Sequence, residues 1–381
     1  MDMEITSLKP EEYDEMMKFL EKCYRHSRNY FQIRYPHVWR RDTVQYENKI
    51  VLKINDRIVS HVGIFPLVMA VGKAKISMGG IGAVATLQEY RGKGFMSRLM
   101  KFAIEKMRND GYSLSILWGD RQRYGHFGYE TVGKLAIFKV SLRSIRTETK
   151  VEEVSFKRFY GEDELLSKII NAHEREPIRI LRDRKTYTHL FNIPYLMTYV
   201  SDEGAYISYM GEGSPGRLIE YGGSGKEVLS LIYSLLKTFS KEFGGSSVEV
   251  MTPYYPYDTF FNLRRACYSW TIVPEAMIKI LNLTKLLEEY SQYLKDICEK
   301  VRLEVVLKIK ETLERAKLIL DHGQVSVESK GTADLEVSLN ERDMAKLLFD
   351  GPEAVPLSDS KRVVLKEFLP LPLHVWLLDH I

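Results

Sequence analysis

The strongest constraint on the fold lies between Ala83 and Asn109, where an apolar strand passes through a short turn directly into an amphipathic helix. The turn reads Arg91-Gly92-Lys93-Gly94. The apolar face of the helix is predicted to carry Phe95, Leu99, Phe102, Ala103 and Met107. A helix that follows a strand so closely packs its apolar face on the sheet to which that strand belongs. The segment therefore predicts a layered α/β domain.

The turn itself is suited to binding a pyrophosphate. Two glycines allow a tight turn that directs successive N–H groups into one small space. The helix N-terminus adds partial positive charge there, and Arg91 and Lys93 add formal charge. A dinucleotide-binding fingerprint needs a third glycine where Ser97 stands, and a Walker A loop needs GxxxxGK followed by Ser or Thr. The turn fits neither pattern.

A second glycine-rich stretch, Gly222-Gly223-Ser224-Gly225-Lys226, also departs from a Walker A loop. Glu220 replaces the first required glycine, and Glu227 stands where Ser or Thr would bind magnesium. We interpret this stretch as a loop before a helix.

The composition is that of a globular protein. Hydrophobic residues make up 45% and charged residues 28% of the 381 residues, which excludes a wholly disordered chain. Lys and Arg number 55 against 51 Asp and Glu, so the net charge is only +4. Nucleic-acid binding would call for a concentrated basic face and a recognisable motif, so we predict no nucleic-acid partner.

The cysteines, the apolar runs and the N-terminal residues indicate the compartment, and the histidines bear on metal binding. Cys23, Cys267 and Cys298 are far apart, odd in number and form no CxxC pair, which favours a reducing cytoplasm. No run approaches ~18 consecutive apolar residues, so we predict no membrane span. The acidic N-terminus lacks the apolar core of a secretory signal. The nine histidines form no HExxH or similar helical pair, so no metal site is predicted.

The hydrophobic pattern divides the chain into three regions, 1–145, 146–280 and 281–381, without internal repeats. The third region is predicted to open with a long amphipathic helix from Leu286 to Val301, followed by alternating strands and a helix capped by Asn340. It ends in LPLPLHVWLLDHI. Because a free tail is normally polar, we expect this apolar tail to be packed.

A resemblance to a known family rests on the R-x-x-G-x-x turn between strand and helix and on Tyr124-Gly125-His126-Phe127-Gly128-Tyr129. Together these segments resemble the acetyl-CoA-binding core of GCN5-related N-acetyltransferases (GNAT). The sixth position of the turn is Met96 rather than Gly or Ala, as in the Eis-like (enhanced intracellular survival) branch, whose second signature resembles Y-G-x-F-G-Y. The resemblance implies an acetyltransferase domain over 1–145, a degenerate GNAT-like domain over 146–280, and a sterol-carrier-protein-like α+β domain over 281–381. It also implies homo-oligomers.

The resemblance implies acetyl-CoA as cosubstrate and assigns the residues that bind it. Val84, Ala85 and Thr86 would bond the pantetheine arm, and their N–H groups would stabilise the oxyanion formed on the thioester. The residues expected around the pyrophosphate are Arg91, Gly92, Lys93, Gly94, Phe95, Met96 and Ser97. Gly119 and Asp120 would lie near the cofactor. From the residues alone, the alternatives are a plain sheet strand and an ordinary strand–turn–helix.

The resemblance also assigns the proton transfers. Tyr124 would be the general acid, because a phenol near pKa ~10 can protonate a thiolate whose acid has a pKa near ~8.5. Tyr129 is the competing candidate. The terminal carboxylate of Ile381 would be the general base, delivered to a cleft by the apolar tail. The alternatives are a tail that only fills a hydrophobic groove, or proton transfer by His374 or His380.

The activity implied is that of an enzyme, an acetyl-CoA-dependent N-acetyltransferase. Its acceptor would be a primary amine of a small molecule, such as an aminoglycoside or a polyamine, or a lysine side chain. The aromatic residues Tyr30, Phe31 and Trp39 either line the acceptor pocket or belong to the core. The alternative function is a non-catalytic CoA- or lipid-binding protein that uses the sterol-carrier-like domain and has no need of Tyr124.

Overall fold

The computed structural model describes residues 3–211, 216–243 and 247–380. The strands are β1 (Met3–Ser7), β2 (Lys49–Ile54), β3 (Arg57–Val71), β4 (Ala74–Thr86), β5 (Leu114–Leu117), β6 (Glu130–Ser141), β7 (Phe156–Arg158), β8 (Ile178–Ile180), β9 (Leu196–Ser201), β10 (Tyr206–Met210), β11 (Arg217–Gly222), β12 (Ser247–Pro253), β13 (Cys267–Ile280), β14 (Arg302–Ile309), β15 (Arg315–Asp321), β16 (Gln324–Glu328) and β17 (Leu335–Leu339).

The α-helices are α1 (Tyr13–Tyr24), α2 (Tyr30–Arg34), α3 (Pro36–Trp39), α4 (Phe95–Asn109), α5 (Arg121–Gly125), α6 (Leu142–Glu148), α7 (Asp163–His173), α8 (Arg184–Phe191), α9 (Gly225–Phe243), α10 (Asp258–Ala266), α11 (Leu283–Glu289), α12 (Ser291–Ile297), α13 (Glu341–Asp350) and α14 (Asp359–Leu365). Short 3-10 helices cover Pro10–Glu12, Tyr46–Asn48, Gln88–Tyr90, Pro352–Ala354 and Leu377–Asp379.

The chain forms two compact units, and neither is continuous in sequence. The first unit contains residues 3–133 and 276–371, and the second contains residues 134–275 and 372–380. The first unit therefore combines most of the predicted first region with most of the predicted third region. The division into three domains at 145 and 280 stays a prediction.

The larger sheet of the first unit has the strand order β1-β2-β3-β4-β5-β13, to which β13 contributes Met277–Ile280. Neighbouring strands are antiparallel except β4 and β5, which are parallel and joined by α4. The helix α4 buries the apolar face predicted for it, apart from one residue: Phe102 is 43% exposed. Phe102 lies off the buried stripe because helical geometry of 100° per residue places it beyond the edge set by Phe95.

The remaining strands of the first unit form a four-stranded sheet in the order β16-β15-β14-β17. Glu289 of α11 links this part of the unit to the larger sheet, because its carboxylate accepts hydrogen bonds from the Ser77 N–H at 3.0 Å and the Ser77 hydroxyl at 2.5 Å. The predicted cap is confirmed, since the Asn340 side chain accepts from the Asp343 N–H. The long helix predicted from Leu286 to Val301 is wrong: α11 ends at Glu289 and α12 begins at Ser291.

The second unit is built on a sheet with the order β6-β12-β11-β10-β9-β7. The 19-residue helix α9 begins at Gly225, inside the second glycine-rich stretch, so the loop predicted before a helix is confirmed and is formed by Gly223 and Ser224 between β11 and α9. The C-terminal segment 372–380 is packed as predicted, with Trp376 fully buried and its ring 5.0 Å from that of Tyr221. Among the helices of the described residues, none has the length and hydropathy needed to cross a membrane.

Candidate active site

The strands β4 and β5 pair over only part of their length. The pairs are Met78 with Leu114, Gly79 with Ser115 and Gly80 with Ile116. Strand β4 continues to Thr86, where it still pairs with Ser60 of β3. The last residues of β4 are therefore held from one side by β3, and the opposite edge is available to line a cleft.

This end of β4 contains a bulge. His61 pairs with Ala85 and Gly63 pairs with Gly82, so β4 holds one residue more than β3 across the same interval. Ala83 lies in the bulge with φ of +51°, in the left-handed region that favours glycine. The bulge changes the direction in which the next peptide groups of β4 point.

The carbonyl groups of four consecutive residues at this end of β4 accept hydrogen bonds from side chains. The hydrogen bonds join His61 Nδ1 to Ala83 O (2.7 Å), Tyr24 Oη to Val84 O (2.9 Å), Ser60 Oγ to Ala85 O (3.0 Å) and Arg91 Nε to Thr86 O (3.2 Å). The donors come from α1, β3 and the turn. Three separate segments thus fix the backbone of the strand that the family resemblance assigns to the pantetheine arm.

The predicted pyrophosphate turn joins β4 to α4. Gly92 and Gly94 have φ of +77° and +75°, and a Cβ at either would meet no atom within 4 Å. Glycine is therefore required by the backbone conformation rather than by lack of space. Gly94 is the N-cap of α4 and provides no side-chain hydrogen bond to its first turn. With Arg91 and Lys93 exposed beside it, this helix N-terminus fits an anionic group.

The second glycine-rich loop differs in a way that sequence alone does not reveal. Three carboxylates of the second unit accept hydrogen bonds from its consecutive amides: Gly223 N–H to Glu176 (3.0 Å), Ser224 N–H to Glu227 (3.0 Å) and Gly225 N–H to Asp258 (2.8 Å). The amides that would bind an anion in such a loop already have anionic or carboxylic partners. This loop is consequently not suited to a phosphate.

A cavity of about 360 Å³ lies at the end of β4. Its lining residues are Cys23, Tyr24, Val84, Ala85, Thr86, Arg91, Met96 and Arg123. The structure therefore brings together five of the predicted cofactor-binding residues, whereas Phe95 is buried in the core and Ser97 is exposed on α4. Sequence reasoning missed Cys23, Tyr24 and Arg123, because they belong to no recognised motif and approach the strand only through the fold.

Tyr124 lies on the short helix α5, and its side chain is buried in the hydrophobic core of the first unit. Its ring fits against the backbone of Gly119, where a Cβ would lie 2.4 Å from the Tyr124 Cε2 atom. Asp120 caps this helix by accepting from the Arg123 N–H at 2.7 Å. Gly119 and Asp120 thus position the helix of Tyr124. Burial raises the pKa of the Tyr124 hydroxyl, so it is protonated at neutral pH.

The competing candidate, Tyr129, has a different environment. Its hydroxyl is fully buried and lies 2.6 Å from the Ser115 hydroxyl on β5. Burial raises its pKa as well. A hydroxyl that is enclosed and already hydrogen-bonded is poorly placed to give its proton to a substrate. Tyr124 is 8% exposed and Tyr129 fully buried, and neither side chain is among those that line the cavity.

A buried carboxylate anchors the helix of Tyr124. Glu130 receives two hydrogen bonds from Arg121, the first residue of α5, and further ones from Arg342 of α13.

Gly128 has φ of +84°, and a Cβ there would lie 2.3 Å from the Glu341 carboxylate. The positive φ thus favours glycine in the second half of the YGxFGY segment, and the end of the Glu341 side chain lies close beside it.

The aromatic stretch is mainly core. Phe31 and Trp39 are 5% and 2% exposed and pack in the central cluster of the first unit. Tyr30 stacks on His26 with ring centroids 3.7 Å apart. Neither Tyr30, Phe31 nor Trp39 is among the residues that line the cavity. Of the two interpretations of this stretch, the structure favours the core.

The candidate base lies at the chain terminus. Ile381 is outside the described residues. His374 and His380, the alternatives, lie in the second unit, where His374 Nδ1 is 3.2 Å from Glu275 Oε2 and His380 Nε2 is 3.1 Å from Val375 O. Burial lowers the pKa of His380 to about 4. In the described residues, no group of three or more His, Cys, Asp or Glu side chains could hold a metal ion.

Known proteins are similar to this chain in one domain and in overall fold. Residues 4–132 match the acetyltransferase (GNAT) domain, whereas no curated protein matches the chain. A solved protein of unknown function from Enterococcus faecalis V583, described as a probable N-acyltransferase, is 17% identical with a TM-score of 0.76, and the match covers 100% of both chains.

Two further structures match over the full length. A GCN5-related N-acetyltransferase from Kribbella flavida is 18% identical with a TM-score of 0.73, covering 100% of this chain and 98% of its own. Eis1 from Mycobacterium abscessus is 9% identical with a TM-score of 0.70, covering 100% of both chains. At these identities the likeness concerns the fold. Residues 4–132 therefore match a GNAT acetyltransferase domain, which agrees with the predicted enzyme class, and the predicted mixed α/β GNAT fold is confirmed.

Proposed function

We propose that the protein transfers the acetyl group of acetyl-CoA to a primary amine by direct attack on the thioester. The observation that carries this proposal is the arrangement at the end of β4. A strand that leaves its parallel neighbour after Gly80 ends beside a cavity, and the next helix begins at a glycine N-cap. This arrangement offers a cleft for an extended thioester arm and a helix N-terminus for its diphosphate.

In this proposal the turn Arg91–Ser97 holds the diphosphate of acetyl-CoA. The φ angles of Gly92 and Gly94 bring the loop amides close to one point, and Arg91 and Lys93 supply positive charge. Val84, Ala85 and Thr86 hold the pantetheine arm through their backbone. The four hydrogen bonds to carbonyls 83–86 hold this backbone in place before the substrate arrives, which lowers the ordering cost of binding.

The chemical step forms a C–N bond and breaks the C–S bond of the thioester. The attacking amine loses a proton, and the departing thiolate gains one from the Tyr124 hydroxyl. Because Tyr124 is protonated at neutral pH and Tyr129 is bonded to Ser115, we assign the general acid to Tyr124. We assign the general base to the terminal carboxylate of Ile381, which is ionised at neutral pH because an α-carboxyl titrates near ~3.5.

The charge of the cavity bears on the acceptor. Among the described residues its lining contains no carboxylate and two arginines, of which Arg91 is assigned to the diphosphate and Arg123 remains to face the acceptor. A polycationic acceptor, such as an aminoglycoside or a polyamine, would be repelled there, whereas a lysine side chain or a small amine with a neutral or anionic substituent would not. We therefore favour the second group of acceptors.

Two finer assignments remain part of the proposal. The four-stranded sheet with α11 to α14 would correspond to the sterol-carrier-like region, whose strands and helices follow in the predicted order. Cys23, Cys267 and Cys298 are free thiols, which supports a reducing compartment such as the cytoplasm.

The test combines the protein, acetyl-CoA and a panel of primary amines, with release of free thiol as the readout. We expect turnover by the wild type and a loss of roughly 100-fold to 10,000-fold in kcat for Tyr124→Phe. Tyr129→Phe is the matched control, since it removes a buried hydroxyl from a ring whose centroid lies 6.4 Å from that of Tyr124. Binding of acetyl-CoA without turnover of any amine would instead support the non-catalytic function.

The base is tested separately. One residue added after Ile381 displaces the terminal carboxylate, so we expect turnover to fall while acetyl-CoA binding is kept. One residue added before Met1 is the control. Unchanged turnover in the C-terminal extension would refute the assignment of the base.

A further inference from the structure

His61 is a buried histidine that the proposed chemistry does not use. It is fully buried in the middle of β3, opposite the bulge of β4. Its Nδ1 atom lies 2.7 Å from the Ala83 carbonyl oxygen. A carbonyl only accepts, so this hydrogen bond requires a proton on Nδ1.

The opposite nitrogen of the ring is not used. His61 Nε2 is buried and has no hydrogen-bond partner among the described residues. Burial lowers the pKa of His61 to about 3, so the ring is neutral and carries a single proton. Within the described part of the chain, the one hydrogen bond of the imidazole ring therefore goes to Ala83.

Ala83 is the residue that needs such a partner. Its φ of +51° is unfavourable for a residue with a Cβ, and a bulge of this kind ordinarily has glycine there. The next residue, Val84, lines the cavity. Whatever holds Ala83 in this conformation also sets the direction of the Val84 peptide group.

We propose that His61 is a positioning residue, whose hydrogen bond to Ala83 holds the bulge of β4 in the conformation that binds acetyl-CoA. This inference rests on the proposed function. The side chain touches no substrate and acts only through the backbone of Ala83 and Val84. Loss of this hydrogen bond should therefore weaken acetyl-CoA binding. The effect should be large only when residue 83 has a Cβ, because a Cβ makes a positive φ unfavourable.

A double-mutant cycle tests this dependence. His61→Leu should lower kcat/KM for acetyl-CoA about tenfold, close to the worth of one buried hydrogen bond, mainly through KM. In the A83G background the same substitution should cost less than about threefold, because glycine adopts positive φ without the Cβ penalty. His61→Asn keeps an N–H donor near the position of Nδ1 and should recover most of the loss.

His173 provides the control. It is equally buried, its Nδ1 lies 2.8 Å from the Tyr187 hydroxyl, and its Nε2 is likewise unpartnered. His173→Leu should lower stability without raising KM for acetyl-CoA. Equal losses from His61→Leu in both backgrounds would overturn the proposal, since a residue that only fills the core does not depend on residue 83.

A measurement on the unmodified protein covers the case in which His61→Leu fails to fold. With histidine labelled with nitrogen-15, the ring nitrogen shifts identify the protonated atom. We expect His61 to be the neutral Nδ1–H tautomer at pH 7, and the Nε2–H tautomer would overturn the proposal. Wild-type protein that does not bind acetyl-CoA in calorimetry would refute the proposed function itself, whereas binding with equal cycle losses refutes only the role of His61.

Discussion

Arg121 donates two hydrogen bonds to the buried carboxylate of Glu130, from Nε to Oε1 at 2.5 Å and from Nη2 to Oε2 at 2.8 Å. Arg121 begins the helix that carries Tyr124, and Glu130 begins β6. Arg342 of α13 binds the same carboxylate. The position of the proposed general acid therefore depends on a residue more than 200 positions later in the chain.

Replacement of this carboxylate should reduce both stability and turnover. Glu130→Gln leaves Arg342 and Lys346 without their shared anion, and we expect it to lower the free energy of unfolding by about 2 kcal/mol. It should also lower kcat, because helix α5 loses an anchor. Denaturant unfolding and thiol release measure the two effects. Glu249→Gln, which removes a more exposed partner of Arg217, is the control and should cost about 0.5 kcal/mol.

The same carboxylate predicts a dependence of stability on pH. Burial alone would raise the pKa of Glu130, but hydrogen bonds from Arg121 and the Thr131 N–H, together with the charges of Arg342 and Lys346, lower it to about 2. A pKa below the unfolded value of about 4.5 means that the stabilisation is fully present above pH 4.5 and is lost between pH 4.5 and 2. The difference in unfolding free energy between wild type and Glu130→Gln should shrink across this window. A constant difference would contradict the assignment.

The glycine at position 128 should tolerate no side chain. Gly128→Ala introduces a Cβ at φ +84°, 2.3 Å from a Glu341 oxygen, and we expect it to lower the free energy of unfolding by about 3 kcal/mol. Gly72→Ala separates the two causes, because Gly72 has φ of +55° with nothing within 4 Å of its Cβ position. It should cost about 1 kcal/mol. Similar losses at both sites would show that the close contact contributes nothing.

The two glycine loops should differ in their response to loss of a lysine. Lys93→Gln should weaken acetyl-CoA binding about fivefold at low salt, and less at high salt, because Lys93 is exposed beside the uncapped start of α4. Lys226→Gln should leave the affinity unchanged, since the amides of its loop already bind Glu176, Glu227 and Asp258. Calorimetry measures both. A loss of acetyl-CoA affinity in Lys226→Gln would indicate that the nucleotide binds at the second glycine-rich loop instead.

Arg123 should influence the choice of acceptor. Of the described residues that line the cavity, Arg91 and Arg123 are the two cations. Arg123→Gln should lower kcat/KM for an amine that also carries a carboxylate about fivefold, and raise it for a polyamine, because a positive charge is removed from the site. Thiol release with matched acceptors measures the ratio. Equal changes for both acceptors would exclude a role for charge at this position.

The sequence predicts the strand–turn–helix closely because its signals are local. The helix predicted to follow the turn directly and to reach Asn109 is found at Phe95–Asn109, since Gly94, which ends the turn, is also the N-cap of the helix. The tail from Pro372 is buried as its composition indicates. In both cases the residues that determine the structure are neighbours in the chain.

Other features escape prediction because their determinants are distant or silent. Leu286, Leu287, Tyr290 and Leu294 are all buried with helical spacing, yet the helix breaks at Tyr290 without a proline or glycine to mark it. Periodicity reports which face is buried and not whether the backbone is continuous. Tyr24 reaches the Val84 carbonyl across 60 residues, and no short motif encodes such a contact.

The discontinuity of the first unit has a consequence for biosynthesis. Strand β5 acquires its outer neighbour, Met277–Ile280, only after about 160 further residues have been translated. Until then the nascent chain carries an unpaired, apolar edge, which is the kind of surface that captures other strands. A fragment that ends at residue 145 would retain the predicted pyrophosphate turn and Tyr124, but the edge of β5 would stay unpaired. We therefore expect such a fragment to aggregate rather than to yield an isolated catalytic domain.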